Sequence, residues 1–464
     1  GMRQGGASIR AHLDKTDGAT IQANDPELRS AFIIFDVTNP ETPPVLLGEI
    51  TMPNMGYSTN YPTMVVMKDG DKNGTFGPYN QANPAGGENL WLLAFGSGPA
   101  NLEGAPDKEL LSTAESHQRG NFYLLDLVQL ASHRKLMSLN SSGQLTAGLH
   151  PYLTLPGDDE TKSFIGDPIT VDFDLDYNAD VVYFGTVSGS APGAAADSGW
   201  KGKLRRIVVE NRKDPATWTA DNVLFNAKRP ITAAPTSGIG QQKRDWVFFG
   251  TGRYFTTADG LDMSTQGYYG IKEPLVMPAD NSRPDPNNRA FTEVAESALV
   301  DVTNYRILAN RVVDMGGATA GSWSGLMARM QDHGGWRIDF LDSSDVIDVG
   351  KNKTVQRGER NLGQATLLGG VLSFTTFKPS ANICTPGGES FFWARYFETG
   401  TDYYRPILSA QVLVPYNNSS VMMNVGRVSL GSGLASPPSL HVGSGTRAFI
   451  QTSKGDVVDF DLDT

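Results

Sequence analysis

The sequence has very little cysteine: the chain of 464 residues contains only Cys384. No disulfide can form within the chain, so Cys384 is interpreted as a loop residue, with an interchain contact as the alternative. Cytosolic proteins and calcium-dependent bacterial surface proteins both show such a count, which leaves the cellular compartment open.

Basic residues are also scarce, with 39 Lys and Arg against 50 Asp and Glu and a formal net charge of −11. Nucleic-acid binding needs clustered positive charge, so we expect no nucleic-acid partner. No apolar stretch approaches the length of a membrane span, so we expect no membrane insertion. Gly1 before Met2 is typical of the remnant of a cleaved tag, which predicts a piece of a longer protein.

Catalytic motifs are missing as well. The six histidines are scattered, with no HExxH pair and no nucleophile elbow. The Gly-rich segments follow strand-like runs and do not open helices, so no phosphate cradle is predicted. These absences favour a binding protein over an enzyme.

The sequence does contain a repeated strand pattern. Each repeat ends in a short run that is either apolar or alternates apolar and polar residues. The seven runs are Phe32–Val37, Phe122–Leu127, Lys203–Val208, Tyr268–Lys272, Trp336–Leu341, Phe391–Phe397 and Val457–Leu462. With 51 Gly and 27 Pro for turns, they predict an all-β fold, a β-propeller of seven blades, with six or eight as alternatives. Independent β-sandwiches are the competing interpretation, but no Pro/Ser-rich linker separates the units.

Two further strands precede most of these runs. An early strand begins at Thr63, Ile169, Thr236 and Ser439; a middle strand ends in Gly at Trp91–Gly96, Val181–Gly185, Trp246–Gly250 and Leu440–Gly443. We expect these glycines to supply the positive φ of tight hairpin turns. Short helices are predicted at Asp107–Ser116 and Ser322–Met330.

The segment Ile169–Gly185 (ITVDFDLDYNADVVYFG) carries the strongest chemical signal. Asp172, Asp174, Asp176 and Asp180 follow the D-x-D-x-D-x-x-x-D spacing of a calcium loop, and Asn178 stands where a backbone carbonyl serves as ligand. Crowded carboxylates repel one another unless a cation lies between them. The spacing therefore predicts a Ca²⁺ site between two strands, and a solvated acidic turn is the alternative.

A second candidate calcium loop lies in Lys68–Phe76 (KDGDKNGTF). Asp69, Asp71, Asn73 and Thr75 match the front half of such a loop, but Asn80 stands where a glutamate is usual. A Gly-rich hairpin insertion is the alternative here.

Several long motifs resemble one known family. These are GDPITVDFDLDYNADVVYFGTVSG with GKLRRI (202–207), PITAAPTSGIGQQKRDWVFFGTGRYFTTADGLDMSTQGYYGIKE (230–273), FDVTNPETPP (35–44), GERNLGQATLLGGVLSFTTFKPSANIC (358–384) and VSLGSGLASPP (428–438). Together they resemble the C-terminal propeller of the type IV pilus PilC/PilY proteins, over nearly the whole chain.

The resemblance implies one C-terminal propeller domain, residues 1–464, of a secreted, pilus-associated protein at the cell surface. It implies a role in pilus assembly and adhesion, with minor pilins and host or abiotic surfaces as partners. It also implies that calcium in the loop regulates pilus extension, retraction and twitching motility, and it maps the ligands onto Asp172, Asp174, Asp176, the Asn178 carbonyl and Asp180. We expect a monomeric propeller.

Two alternatives stay open. A calcium-dependent quinoprotein-like propeller enzyme would need adjacent cysteines and a tryptophan in register in each blade, and neither is seen. A pure scaffold that docks pilin-like subunits would use the same exposed loops as an adhesin. The insertions at about 97–120, 188–200 and 274–300 are the expected partner surfaces.

Overall fold

The structure is a computed structural model that describes most of the chain in twelve larger ranges and four short ones. The described residues are 9–10, 27–28, 30–51, 55–67, 89–100, 113–190, 199–210, 212, 214–280, 284–285, 287–315, 321–341, 358–380, 387–408, 410–443 and 445–462. The second candidate calcium loop and Cys384 lie outside them, as do residues 107–112 of the predicted first helix.

The chain divides into two compact units. Unit 1 comprises Gly1–Ala191, Gly199–Val223 and Phe255–Ala258. Unit 2 comprises Pro192–Ser198, Leu224–Tyr254 and Asp259–Thr464. Two α-helices lie in the described residues, α1 (Leu127–His133) in unit 1 and α2 (Trp323–Gln331) in unit 2. Among the described residues, neither has the length and apolar character needed to cross a membrane.

All other regular structure is strand, apart from short 3-10 turns. The strands of unit 1 are β1 (Ile9–Arg10), β2 (Glu27–Leu28), β3 (Phe32–Asp36), β4 (Val45–Ile50), β5 (Thr63–Met67), β6 (Leu90–Gly96), β7 (Asn121–Asp126), β8 (Met137–Leu139), β9 (Leu145–Ala147), β10 (Pro151–Thr154), β11 (Ser163–Ile165), β12 (Ile169–Val171), β13 (Val181–Gly189), β14 (Trp200–Lys201) and β15 (Lys203–Val208). Strand β16 (Thr219–Asn226) begins in unit 1 and ends in unit 2.

Unit 2 holds the remaining strands. They are β17 (Thr236–Ile239), β18 (Asp245–Gly250), β19 (Gly267–Lys272), β20 (Leu299–Asp301), β21 (Arg306–Ile307), β22 (Val312–Asp314), β23 (Gly321–Ser322), β24 (Gly335–Asp339), β25 (Arg360–Asn361), β26 (Thr366–Leu368), β27 (Val371–Pro379), β28 (Gly388–Tyr396), β29 (Gln411–Tyr416), β30 (Ser419–Asn424), β31 (Arg427–Ser432), β32 (Ser439–Val442), β33 (Thr446–Gln451) and β34 (Val457–Leu462).

The sheets of unit 1 are antiparallel and follow chain order. One runs β5-β6-β7-β8-β9, and another runs from β11 and β12 through β13 and β15 to β16. The central strands β7 and β13 are buried along almost their whole length, which is why they appear in the sequence as apolar runs and not as alternating patterns. Side chains of both sheets, among them Leu92, Leu124, Val182 and Ile207, share one core.

Three sheets of unit 2 are antiparallel as well, except that β20 pairs with β24 in parallel and out of chain order. They run β17-β18-β19-β24-β20, β25 and β26 with β27-β28-β31, and β32-β33-β34. Their core is strongly aromatic: Tyr268 stacks on Phe374 with ring centroids 3.9 Å apart, and Phe374 stacks on Trp393 at 5.7 Å. Aromatic pairs of this kind add to the stabilisation from buried area.

The seven sequence runs all fall on strands, but two of them belong together. Tyr268–Lys272 lies on β19 and Trp336–Leu341 begins on β24, and these strands pair directly, with Tyr268 opposite Ile338. The seven runs thus lie on six sheets, because the fourth strand of one sheet resembles the third in composition. The early and middle strands predicted at Ser439 and Leu440 are likewise a single strand, β32, and the middle strand of that sheet is β33.

The predicted reason for the glycines that end the middle strands is wrong. Gly96 and Gly250 do not have positive φ. A Cβ on Gly96 would lie 2.3 Å from the Ile165 Cβ, and one on Gly250 would lie 2.3 Å from the Asn361 Cβ. Glycine is required there because a neighbouring strand passes too closely for any side chain.

The predicted helix Ser322–Met330 is confirmed, displaced by one residue. The Ser322 side chain accepts a hydrogen bond from the Gly325 amide and so caps the first turn of α2. Leu326 and Met330, one turn apart, bury the inner face of this helix against the aromatic core of unit 2.

Candidate metal centre

The acidic segment forms the connection of a β-hairpin in unit 1. Strands β12 and β13 pair with Val171 opposite Val181 and Ile169 opposite Tyr183. Residues 172–180 link the two strands, and buried side chains anchor the strand ends on both sides. The acidic loop, as residues 172–180 are called below, is thus held at a fixed place by the core of its sheet.

Alternate side chains of the acidic loop take opposite directions. Oxygen atoms of Asp172, Asp174 and Asp176 all lie within 4.8 Å of one another. Leu175 and Tyr177 are 75% and 73% exposed and have φ of +60° and +72°. Such left-handed backbone is uncommon outside glycine and lets the chain wrap round a centre. Oxygens bound to one Ca²⁺ at about 2.3–2.6 Å can be up to about 5 Å apart, so the three carboxylates fit this ion.

Backbone amides order two of these carboxylates. Asp172 accepts hydrogen bonds from the amides of Asp176 at 3.3 Å and Tyr177 at 2.8 Å. Asp176 accepts from the Asn178 amide at 2.8 Å and from its side-chain nitrogen at 3.0 Å. The loop therefore holds its carboxylates in place through its own backbone, which lowers the conformational cost of binding an ion.

The electrostatics of the cluster favour a cation. Partial burial raises the pKa of the Asp174 carboxyl, and the neighbouring charge of Asp176 and a hydrogen bond with Asp172 raise it further. In the part of the chain that the structure describes, no Lys or Arg forms an ion pair with these three residues. A hard divalent cation is the natural counter-charge for oxygen ligands so arranged.

The other two predicted ligands are placed differently. Asp180 is buried, and its Oδ2 accepts a hydrogen bond of 2.7 Å from the Phe173 amide across the loop. It does not join the group formed by Asp172, Asp174 and Asp176. Asn178 follows that group directly and contacts Asp176 through its side chain. Coordination by Asp180 and by the Asn178 carbonyl stays a prediction.

A cleft that the sequence motifs do not predict borders the acidic loop. It has a volume of about 580 Å³ and is lined by Met64, Val66 and Trp91 on one side and by Asp172 and Tyr177 on the other. One indication of a binding surface is present in the sequence, because aromatic and apolar residues alternate with the aspartates of the acidic loop. Only the fold shows that Tyr177 turns to the surface and borders this cleft.

The fold is a series of mostly antiparallel sheets, and among the described residues one hairpin loop, residues 172–180, carries an acidic cluster. No family model and no curated protein sequence matches the chain. Among solved structures, the chain is similar to the C-terminal domain of PilY1 from Pseudomonas aeruginosa, with a TM-score of 0.55 and 17% sequence identity over 94% of this chain and 79% of that one. The predicted β-propeller fold is thereby confirmed, and so is the resemblance to this domain at the level of the fold. The number of blades stays a prediction.

Weaker similarities reach glycoside hydrolases. The GH43 endo-arabinanase of Bacillus licheniformis gives a TM-score of 0.27 at 10% identity, over 86% of this chain and 92% of that one. An exo-1,5-α-L-arabinanase from a bovine ruminal metagenomic library gives 0.24 at 8% identity, over 74% and 89%. These scores are too low to carry a functional argument.

Proposed function

We propose that the chain is the calcium-binding propeller of a type IV pilus assembly and adhesion protein. The acidic loop binds one Ca²⁺, and its occupancy regulates pilus extension and retraction and surface attachment. The protein acts outside the cell, at the pilus, with minor pilins and host or abiotic surfaces as partners. One observation carries the metal assignment: the oxygens of Asp172, Asp174 and Asp176 lie within 4.8 Å of one another on a preformed hairpin.

The pilus assignment has two supports of a different kind. The motifs of segments 169–185, 230–273 and 358–384 resemble the PilC/PilY family. The fold is similar to that of the PilY1 C-terminal domain over nearly the whole chain. Since function resides in sites placed on folds, the acidic loop and not the propeller is the part to test.

Regulation by calcium fits the position of the acidic loop. An ion that bound inside the core would be a permanent structural element, whereas here two of the three clustered carboxylates are exposed. Calcium loops bind over several decades of affinity, so an exposed loop can follow changes in extracellular calcium. Tyr177 lies on the same loop and lines the adjacent cleft, so binding of calcium to the loop also reaches a surface available to partners.

Calorimetric titration of the chain with CaCl₂ tests the metal site. We expect at least one specific site in the wild-type chain, and the loss of that site after Asp172→Ala or Asp176→Ala. Asp158→Ala is the matched control, because Asp158 is an exposed aspartate of another acidic turn in unit 1. Unchanged binding in the two loop variants would remove the assignment.

A cellular experiment tests the regulatory role. In a bacterium that makes the full-length protein, we expect Asp176→Ala to change surface pilus number and twitching as calcium chelation changes them in the wild type. The variant should then no longer respond to external calcium, while Asp158→Ala behaves as the wild type. Normal calcium-responsive pili in the Asp176→Ala strain would contradict regulation through this loop.

A further inference from the structure

A second surface feature lies in unit 2 and plays no part in the calcium proposal. Four aromatic side chains that are each partly exposed pack together there: Trp323, Tyr396, Tyr403 and Tyr404. Trp323 meets Tyr403 edge to face at 5.3 Å, and the centroids of Tyr403 and Tyr404 are 4.2 Å apart. Trp323, Tyr396 and Tyr404 also pack against the core of unit 2, and all four rings keep part of their surface exposed, as aromatic residues at interaction sites do.

Two exposed arginines converge on one ring of this cluster. The guanidinium carbon of Arg311 lies 4.7 Å from the centroid of Tyr404, and that of Arg405 lies 5.5 Å from it. The two residues and the four aromatic residues are called the aromatic–arginine patch below. A guanidinium group that lies over a ring can still donate its N–H groups to another ligand.

Neither arginine forms an ion pair within the described part of the chain, although many other described arginines do. The acidic residues nearest in sequence are engaged elsewhere: Asp314 pairs with Arg306, and Asp402 pairs with Arg395. Two guanidinium groups without an ion pair in the described part of the chain thus lie on one ring. They present a site for an anion.

The backbone supports a role for Arg311. Its φ is +64°, in the left-handed region where glycine or asparagine is the usual residue. Its amide donates to the Leu308 carbonyl at 2.9 Å, and its carbonyl accepts from the Trp323 amide at 3.2 Å, so the strained turn is fixed at both ends. This turn fixes the Arg311 backbone beside Tyr404. The pKa of Tyr404 is lowered, first by its hydrogen bond with Tyr403 and then by the charges of the two arginines.

We propose that the aromatic–arginine patch binds an acidic glycan, with the two guanidinium groups on a carboxylate or sulfate and the aromatic rings against the sugar. A pyranose offers apolar C–H faces that pack on aromatic rings and hydroxyls that bond to tyrosine. An acidic peptide would need the arginines but not four partly exposed rings. Nucleic acid would need a longer track of basic residues. The patch deepens the adhesion part of the proposed function and does not depend on the acidic loop.

Calorimetry with defined probes tests the proposal: a hexagalacturonate for carboxylates, a heparin hexasaccharide for sulfates, neutral cellohexaose, a dT12 oligonucleotide and an oligo-glutamate peptide. We expect one or both acidic sugars to bind at least about tenfold more tightly than the other three, because cellohexaose lacks an anion for the guanidinium groups and the peptide and oligonucleotide lack a pyranose face for the rings. The acidic sugar that binds identifies the anion. Equal or tighter binding of DNA or peptide, or binding of no sugar, would overturn the proposal.

Variants tie the binding to the patch. Arg311→Ala and Arg405→Ala should each weaken binding about tenfold or more, and Tyr404→Ala should do the same while Tyr404→Phe, which keeps the ring, should not. Arg447→Ala is the matched control, because Arg447 is an exposed arginine of unit 2 that already pairs with Asp461. Retained binding in the two arginine variants would overturn the assignment.

Each titration is repeated in EDTA, where glycan binding should persist. Loss of glycan binding in EDTA would place the sugar at the calcium site and overturn the patch. A failed calcium titration with intact glycan binding would instead contradict only the calcium proposal.

Discussion

Two acidic stretches, both from motifs that carry the family resemblance, have opposite environments. In the acidic loop of unit 1, three carboxylates crowd together at the surface without an ion pair in the described part of the chain. In unit 2, Asp259 is 3% exposed and its Oδ1 lies 2.8 Å from the Nε of Arg253. The acidic loop has no positively charged partner among the described residues, whereas Asp259 has Arg253.

The second stretch is closed by another arginine. The buried Arg360 guanidinium donates to the carbonyls of Gly358 at 2.8 Å, Arg253 at 3.0 Å, Asp259 at 2.7 Å and Asp262 at 2.6 Å. Burial lowers the pKa of Arg360, first among several causes. Every charge here has partners, so the cluster fixes the fold of unit 2. The two stretches therefore carry equally clear sequence motifs but have different roles. An arginine partner within the fold marks the structural stretch, and the absence of such a partner among the described residues marks the candidate metal site.

The largest expected effect is on the stability of the cluster formed by Arg253, Asp259 and Arg360. Arg360→Ala leaves four buried carbonyls without their donor and should cost about 3–5 kcal/mol of unfolding free energy, as for other broken buried networks. The midpoint of urea unfolding measures the loss. Arg447→Ala, at an exposed pair on β33, should change it by less than about 1 kcal/mol. Equal effects of the two substitutions on the free energy of unfolding would contradict a structural role for the hydrogen bonds of Arg360.

The next effect concerns the acidic loop, where stability should depend on the ion. At a calcium concentration about one hundred times the Kd, the wild-type chain should gain about 2.7 kcal/mol over its value in EDTA. Asp176→Ala should gain nothing, yet match the wild type within about 1 kcal/mol in EDTA, because the loop lies outside the core. Thermal unfolding with and without calcium measures both. A large loss in EDTA would give the loop a structural role like that of Arg360.

A smaller effect distinguishes binding from positioning at Asp180. Asp180→Asn keeps an acceptor for the Phe173 amide but removes the charge. We expect calcium affinity to fall about tenfold, the size typical of a group that orients ligands, against loss of detectable binding in Asp172→Asn. Calorimetry compares the two. Loss of all binding in Asp180→Asn would show that Asp180 coordinates the ion directly, as the sequence spacing predicts.

The smallest effect is expected at Asn178, whose predicted ligand is its backbone carbonyl. Asn178→Ala keeps that carbonyl and removes only the side-chain hydrogen bond to Asp176. Affinity for calcium should fall by less than about fivefold, in line with one neutral or charge-assisted hydrogen bond at an exposed position. A loss as large as that of Asp176→Ala would mean that the Asn178 side chain binds the ion.

Much of the strand content follows from sequence pattern. The apolar run Val181–Gly185 and the alternating run Val457–Leu462 lie on strands, and the capped helix after Ser322 forms as predicted. These features depend on neighbours a few residues apart, which a pattern records. The reason for Gly96 and Gly250 could not be found in this way, because the atoms that exclude a side chain belong to distant segments.

The sequence by itself determined the all-β class, the turn positions and the alternating aspartates of residues 172–180, since each arises from adjacent residues. Tertiary structure decided which strands share a sheet, as β19 and β24 do, and which charges meet a partner. It also brought Arg311 to the ring of Tyr404. Contacts between remote segments depend on how whole sheets pack, and no local period in the chain encodes them.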